Sequence, residues 1–202
     1  EVNVVEHQEY RIEGGAWQTS GLFDGLDPNT TYLITTRIKG SDTHYVSDES
    51  EALSVSTMKV KYLVAYRVVG SGGSLLAKLN DLMINTGSMI EKNQSILFTA
   101  TPTAKHQIYR WLVNGEEILG KNKDFVIERL SFAIDVSVEF VLEGDINGDE
   151  SVSITDLINL RRYLAGLSTL NPKGKAAADL DGNGIVTITD LIRLRRRLAG
   201  LE

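Results

Sequence analysis

Two hydrophobic periodicities divide this chain. Through residue 143 the apolar positions alternate with polar ones in short runs, the period of a half-buried strand; beyond residue 144 they recur every three or four residues, the period of an amphipathic helix. Residues 1–59 predict short strands at Tyr10-Arg-Ile, Trp17-Gln-Thr, Thr31-Tyr-Leu-Ile-Thr-Thr-Arg-Ile and Ala52-Leu-Ser-Val-Ser-Thr, separated by turn signals at Glu13-Gly-Gly and Leu26-Asp-Pro-Asn. Residues 60–143 predict a second β-module. Its strands are Lys61-Tyr-Leu-Val-Ala-Tyr-Arg-Val-Val, Gly73-Ser-Leu-Leu-Ala-Lys-Leu, Gln94-Ser-Ile-Leu-Phe-Thr-Ala-Thr-Pro, Ile108-Tyr-Arg-Trp-Leu-Val-Asn-Gly, Phe125-Val-Ile and Val136-Ser-Val-Glu-Phe. Asn114-Gly115 is a strong hairpin turn. Gly70-Ser-Gly-Gly73 is also a turn: no Lys-Ser or Lys-Thr follows it, and a strand rather than a helix comes next, so it is not a phosphate loop.

Residues 144–202 predict two helices, Thr155 to Gly166 and Thr189 to Gly200, each with an acidic first turn, an arginine-rich middle and a terminal glycine. Leu157, Leu160, Leu164 and Leu167 form one stripe, repeated by Leu191, Leu194, Leu198 and Leu201, and these predict the helix–helix core. A second stripe carries Ile154, Ile158, Arg161, Arg162 and Ala165, matched by Ile188, Ile192, Arg195, Arg196 and Ala199. So small a domain cannot bury both faces, so the second stripe is expected outside. Exposed isoleucine beside threonine and paired arginine has the composition of a protein interface.

Each helix follows an oxygen-rich loop. The two loops read Asp145-Ile-Asn-Gly-Asp-Glu-Ser-Val-Ser-Ile-Thr-Asp156 and Asp179-Leu-Asp-Gly-Asn-Gly-Ile-Val-Thr-Ile-Thr-Asp190, and between 145–167 and 179–201, 15 of 23 aligned positions are identical, which marks a duplication. Calcium takes about six to eight oxygens, supplied by loop positions 1, 3, 5, 7, 9 and 12. In the first loop these are Asp145, Asn147, Asp149, the carbonyl of Ser151, Ser153 through a water, and Asp156; in the second, Asp179, Asp181, Asn183, the carbonyl of Ile185, Thr187 and Asp190. Val152 and Val186, at position 8, are expected to pair the loops across a short strand-like contact. The twelfth residue is Asp rather than Glu, so the chain must approach the metal more closely. Glu150 stands where the sharp turn favours glycine, a place that Gly184 fills in the second copy, so the first site is expected to be the weaker or more distorted one.

Composition changes the picture only by exclusion. The 202 residues are 42% apolar and 24% charged, contain no cysteine, and hold no apolar run long enough to span a bilayer. The net charge is −6, yet residues 144–202 balance eight acids against eight bases, so the deficit lies in residues 1–143. A nucleic-acid partner would favour a basic domain, and none is expected. The chain opens on Glu1 rather than Met and reads as a fragment of a longer polypeptide. His7, His44 and His106 are isolated, no Gly-x-Ser-x-Gly elbow is present, and the clustered acids belong to the metal loops, so no catalytic residue is expected and any catalytic domain would lie upstream.

A strand, not a helix, leads into the first loop, since Ser137-Val-Glu-Phe-Val-Leu-Glu-Gly144 alternates. Loop plus exiting helix, duplicated and joined by Asn171-Pro-Lys-Gly and a short Ala176-Ala-Ala helix, resembles a dockerin module over residues 144–202. That resemblance implies two Ca2+, one-to-one binding to a cohesin module of a scaffoldin, assembly into a polysaccharide-degrading cellulosome, and a bacterial extracellular or cell-surface location. It places the partner contacts at Ile154, Thr155, Arg161 and Arg162 and again at Ile188, Thr189, Arg195 and Arg196, with Ile158 and Ile192 on the same stripes. Because these positions are identical in both copies, two symmetry-related docking modes are expected, against a partner patch carrying Asp or Glu.

Gly25-Leu-Asp-Pro-Asn-Thr-Thr-Tyr32 before a strand resembles the fibronectin type III sandwich, where such a tyrosine anchors a corner by its hydroxyl, although the module is short for the usual ~100 residues. The order Gly-x-Gly-Gly, Phe-Thr-Ala-Thr-Pro, Trp-Leu-Val-Asn-Gly-Glu and a terminal Val-x-Val-x-Phe resembles the internalin-type repeat, a small sandwich or β-grasp-like surface domain. The expected architecture is therefore multi-domain: two all-β modules, residues 1–59 and 60–143, followed by an all-α dockerin of two loop–helix repeats. Only Leu142-Glu-Gly144 separates the second β-module from the dockerin, so the two should pack, as X-modules do beside dockerins. The alternatives are a calcium-stabilised surface adhesin and a carbohydrate-binding protein using Trp17 or Tyr32 as a platform, with core packing favoured for both aromatics.

Loops rich in carboxylates repel themselves without a cation, and a small core leaves little reserve. Chelator is therefore expected to unfold residues 144–202 while the β-modules stay folded, followed by differential scanning calorimetry with and without calcium. A single transition indifferent to chelator would contradict this.

Overall fold

The computed structural model describes residues 2–118 and 121–201; Glu1 and Glu202, the outer limits of the first and last expected modules, lie outside the described residues. Backbone contacts divide the chain into two compact units, Glu1–Lys61 and Tyr62–Glu202. Residues 60–143 and 144–202, separate modules in the sequence reading, thus share one unit.

In the first unit, β1 (Gln8–Ile12), β2 (Thr31–Ile38) and β3 (Leu53–Ser56) form an antiparallel sheet in the order β1-β2-β3. Tyr10 and Ile34 are its buried centre. The Tyr10 hydroxyl accepts from Val5 N at 2.7 Å, and the predicted strand around Trp17 contributes one bridge, Gln18 to Tyr10. Tyr32 Oη accepts from Asp27 N at 2.9 Å, the corner contact expected of that turn. A second sheet, as in a two-sheet sandwich, is not formed among the described residues of this unit. The connecting residues 13–30 and 39–52 are rich in Gly, Pro, Asp and Ser and lack the alternation that would extend the sheet. Trp17 is half-buried beneath two guanidinium groups, Arg37 at 4.2 Å and Arg11 at 4.7 Å from its ring centre, so it is neither a core residue nor an open platform for a sugar.

The second unit contains a β-sandwich. One sheet has five strands in the order β10-β9-β12-β4-β7, built from β4 (Lys61–Val69), β7 (Ser88–Glu91), β9 (His106–Val113), β10 (Glu116–Ile118) and β12 (Ile134–Leu142). The other has four in the order β11-β8-β5-β6, built from β5 (Gly73–Leu79), β6 (Leu82–Ile84), β8 (Ile96–Pro102) and β11 (Asp124–Ile127). Asn114 and Gly115 both have positive φ, the primed turn that matches strand twist in a hairpin, and they join β9 to β10. The inward side chains of both sheets meet in one core: Val64, Ile108, Trp111, Val136, Val138 and Phe140 from the first, and Leu75, Ala77, Ile96, Phe98 and Ala100 from the second. Of the two folds expected for this module, it is the sandwich.

β12 positions the helical segment. It is central, pairing antiparallel with β9 and parallel with β4. Because side chains alternate along a strand, Val136, Val138 and Phe140 enter the sandwich core while Val141 points to the other face, where it is buried against Ala176 and Ala177. These alanines lie on α2 (Pro172–Ala178), so a short helix covers one end of the five-stranded sheet. The strand then runs through Glu143 and Gly144 straight into the first acidic loop. Glu143 is held by Arg197, whose guanidinium donates to its carbonyl at 2.9 Å and its carboxylate at 3.0 Å.

Phe98 is fully buried between the sheets and stacks near Phe125 at a centroid distance of 6.2 Å. Phe98→Ala is expected to lower the stability of the second unit by about 3–5 kcal/mol, read as a shift of its denaturant midpoint, with the first unit's transition unmoved.

Candidate metal centre and docking face

The helices that follow the acidic loops are α1 (Ile154–Leu164) and α3 (Ile188–Leu198). Both begin with a complete capping box. Ser153 Oγ accepts from Thr155 N at 3.1 Å, and Thr187 Oγ1 from Thr189 N at 3.2 Å, while Asp156 and Asp190 reach back to the cap N–H at 2.9 and 2.8 Å. Both end in a glycine of positive φ, Gly166 and Gly200. There Leu167 N returns to Arg162 O at 2.9 Å and Leu201 N to Arg196 O at 3.0 Å, the hydrogen bond of a Schellman cap. That reversal corrects one expectation. Leu167 and Leu201 leave the leucine stripe and are exposed, because the helices stop three residues earlier. The rest of the stripe packs as expected: Leu160 and Leu194 are fully buried, with Leu157, Leu164, Leu191 and Leu198 around them.

Asp156 and Asp190 close the two loops. Both are fully buried, and every carboxylate oxygen accepts two hydrogen bonds. Asp156 Oδ1 takes Ile146 N (2.8 Å) and Asn147 N (3.1 Å); its Oδ2 takes Ser153 N (2.9 Å) and Ser153 Oγ (3.2 Å). Asp190 repeats the set with Leu180 N (2.9 Å), Asp181 N (3.3 Å), Thr187 N (2.8 Å) and Thr187 Oγ1 (3.2 Å). The shorter Asp side chain is thus accommodated by folding the loop backbone onto it. Ile146 and Leu180, at position 2 of each loop, turn inward and join the leucine core. The sequence reading missed this pair, although an apolar residue repeated inside an acidic loop is a usable signal. Val152 and Val186 pack into the same cluster, and no bridge joins them, so the expected strand-like pairing is replaced by core packing.

The first residues of the loops are also buried. Asp145 accepts from Gly148 N, Asp149 N and Glu150 N at 2.8–3.1 Å, and Asp179 from Asn183 N and Gly184 N at 3.1 and 2.8 Å. Asn147 and Asp149 are exposed and tied to each other, the amide donating to the carboxylate at 2.7 Å, while Ser151 Oγ donates to Asp149 at 2.7 Å. The hydrogen bonds from Ser151, then from Asn147, hold the Asp149 carboxyl below its ordinary value. Its contribution is therefore present above the usual carboxylate range and lost as pH falls through the lowered value. In the second loop Asn183 Oδ1 accepts from Ile185 N at 2.8 Å, and one carboxylate oxygen from each of Asp179, Asp181 and Asp190 falls within 4.8 Å of the others. Among the described residues this is the single three-acid grouping of that kind. The first loop also has three acids at its expected ligand positions, but with the amide at position 3 (Asn147) and the acid at position 5 (Asp149), the reverse of the second loop. Both donor sets consist of oxygen alone, which fits a hard cation such as calcium and not a thiolate- or imidazole-seeking metal.

The second stripe lies outside, as expected. Ile154 and Ile188 are 63% and 61% exposed and Ile158 and Ile192 about half exposed. Thr155, Thr189, Arg161, Arg162, Arg195 and Arg196 are also exposed. None of these four arginines has an ion pair among the described residues, and no neighbouring element covers the isoleucines.

Residues 143–199 match the family model of the dockerin type I domain. Dockerins of this type bind calcium and dock onto cohesin modules in cellulosome assembly. The dockerin here follows a β-rich region, giving a multi-domain chain that is β first and helical last. No curated protein matches the chain. No helix among the described residues is long and apolar enough to cross a membrane.

The two dockerin loops differ in backbone strain. Glu150 holds φ +64°, a left-handed conformation, where the second loop has Gly184. Glu150→Gly is expected to stabilise the dockerin in chelator by about 1 kcal/mol, measured by thermal unfolding. Glu150→Ala, which removes the carboxylate but keeps the strain, is expected to give no comparable gain.

Proposed function

We propose that this chain is a non-catalytic adaptor. It binds two Ca2+ in the dockerin, one per loop, and attaches the protein it belongs to, one-to-one, to a cohesin of an extracellular scaffoldin. The observation that carries the reading is the exposure of the same residues on both helices: Ile154, Thr155, Ile158, Arg161 and Arg162 on α1, and Ile188, Thr189, Ile192, Arg195 and Arg196 on α3.

A patch of this kind combines an aliphatic anchor, which gains by leaving water, with guanidinium groups that pair best with carboxylates. The partner surface is therefore acidic around an apolar centre. Because each helix carries the full set, the partner can engage either one, giving two docking modes of similar affinity. The calcium ions would be held by Asp145, Asn147, Asp149, Asp156 and the Ser151 carbonyl in the first loop, and by Asp179, Asp181, Asn183, Asp190 and the Ile185 carbonyl in the second. Bound calcium would neutralise the converging carboxylates and fix each loop against the helix it caps. Ser153 and Thr187 already serve as helix caps, so their contribution to the metal would come through a water. The second β-module acts as a structural neighbour of X-module type, its five-stranded sheet covered at one end by the dockerin's α2.

The test is isothermal titration calorimetry of the chain against a panel of cohesins, in calcium and in chelator. Tight one-to-one binding lost in chelator is expected. Arg161→Glu with Arg162→Glu should leave the affinity within a few-fold, whereas adding Arg195→Glu and Arg196→Glu should abolish binding. Loss of binding in the first pair alone would exclude the two-mode reading and leave a single face.

A further inference from the structure

The last four carbonyls of a helix have no partner inside it, and in α2 all four can be followed. Lys175 O accepts from Asp179 N at 3.2 Å and Ala178 O from Leu180 N at 3.1 Å, both local. The other two are satisfied from outside the helix. Ala177 O accepts from Gly144 N, at the end of the strand that leads out of the sandwich, at 2.8 Å. Ala176 O accepts from the side-chain amide of Gln107, on β9, at 2.6 Å, and the same amide nitrogen lies 3.4 Å from Asp179 O. Ala176, Ala177 and Ala178 are buried, so water cannot replace these donors. α2 ends at Ala178, and the next residue is Asp179, the first carboxylate of the second calcium loop.

We infer that Gln107 is a positioning residue for the second calcium loop: its amide caps the C-terminus of α2 from the β-sandwich and so fixes where Asp179 enters the metal site. The inference rests on the calcium reading above and extends it to a residue outside the dockerin match. A side-chain amide is suited to this place, because its NH2 offers two protons to two carbonyls that lie three residues apart. The first loop has no counterpart. Asp145 is entered directly from β12 through Gly144, so its position is set by the strand and not by Gln107. The β-module thereby acts unequally on the two metal sites, supporting the second through a side chain that can be removed without touching a ligand.

The test uses the full chain, stripped of metal and titrated with CaCl2 by calorimetry, in two backgrounds: Asp149→Ala, to silence the first loop, and Asp181→Ala, to silence the second. Gln107→Met keeps the length and removes the donors. With the first loop silenced it is expected to weaken the remaining calcium step about three- to tenfold, the worth of one net hydrogen bond. With the second loop silenced it should leave the remaining step unchanged. Gln107→Lys, which retains a donor at similar reach, should recover part of the loss. Equal weakening in both backgrounds would reduce Gln107 to a general stabiliser and overturn the assignment, as would no weakening in either. A starting chain that takes up no calcium would overturn the calcium reading as well, which separates the two failures. If Gln107→Met does not fold, Gln107→Lys against Gln107→Glu makes the same comparison, the Glu carboxylate facing the two carbonyls without a donor.

Discussion

Two buried carboxylates hold the helical half of this protein in shape. Asp156 and Asp190 each place a polar carboxyl group out of reach of water, which is tolerable only with full hydrogen bonding. Four protein hydrogen bonds supply this in each case. Those donors come from both ends of the loop, so one side chain ties the entry of the loop to its exit and caps the helix that follows. Ile146 and Leu180 are drawn into the core by the same backbone turn. Loop shape, helix start and core packing are therefore one arrangement rather than three, and a cation placed among the remaining oxygens would act on all of them together.

The arrangement is anchored on one side only. β12 alternates its side chains between the sandwich core and α2, and the chain then passes into the first loop with no slack. Arg197, at the far end of α3, reaches Glu143 beside that passage. Buried alanines on α2 allow close approach to Val141, and small side chains there leave the helix carbonyls near enough for Gln107 to reach. The helical segment is therefore mounted on the sandwich through its linker helix, while the isoleucine–arginine stripes of α1 and α3 stay exposed.

What the sequence made legible was local and repeated. The paired acidic loops, both helices, the glycines that end them and the exposed isoleucine–arginine stripes all depend on spacing within a dozen residues, and the duplication states each of them twice. The long strands of the sandwich were legible for the same reason. Three short strands were not. β6, β7 and β10 are only three or four residues long and lie at sheet edges, where one or two paired neighbours suffice and no alternation can be read. Leu167 and Leu201 misled because they continue the leucine period past a glycine that ends the helix. Gln107 was invisible: its partners are backbone carbonyls 69 and 72 residues away, and backbone acceptors leave no trace in composition.

The differences between the two copies carry as much information as their identities. Within the helices the copies diverge at Asn159 against Arg193 and at Tyr163 against Arg197. Tyr163 lies beside Lys175 on α2, with the ammonium 5.9 Å from its ring centre, and Arg197 binds Glu143, so that pair faces surroundings that are themselves unlike. Asn159 lines a cleft against the linker residues Ser168 to Asn171. The buried leucines are alike because they share one core. No core holds the side chains of the exposed stripe, and Arg162 even lines the same cleft as Asn159. Surface positions free of packing constraint tolerate substitution at little cost in stability, usually within ~0.5 kcal/mol, so two copies left to stability alone would differ there first. They are identical there instead, so neither packing nor folding stability accounts for their likeness.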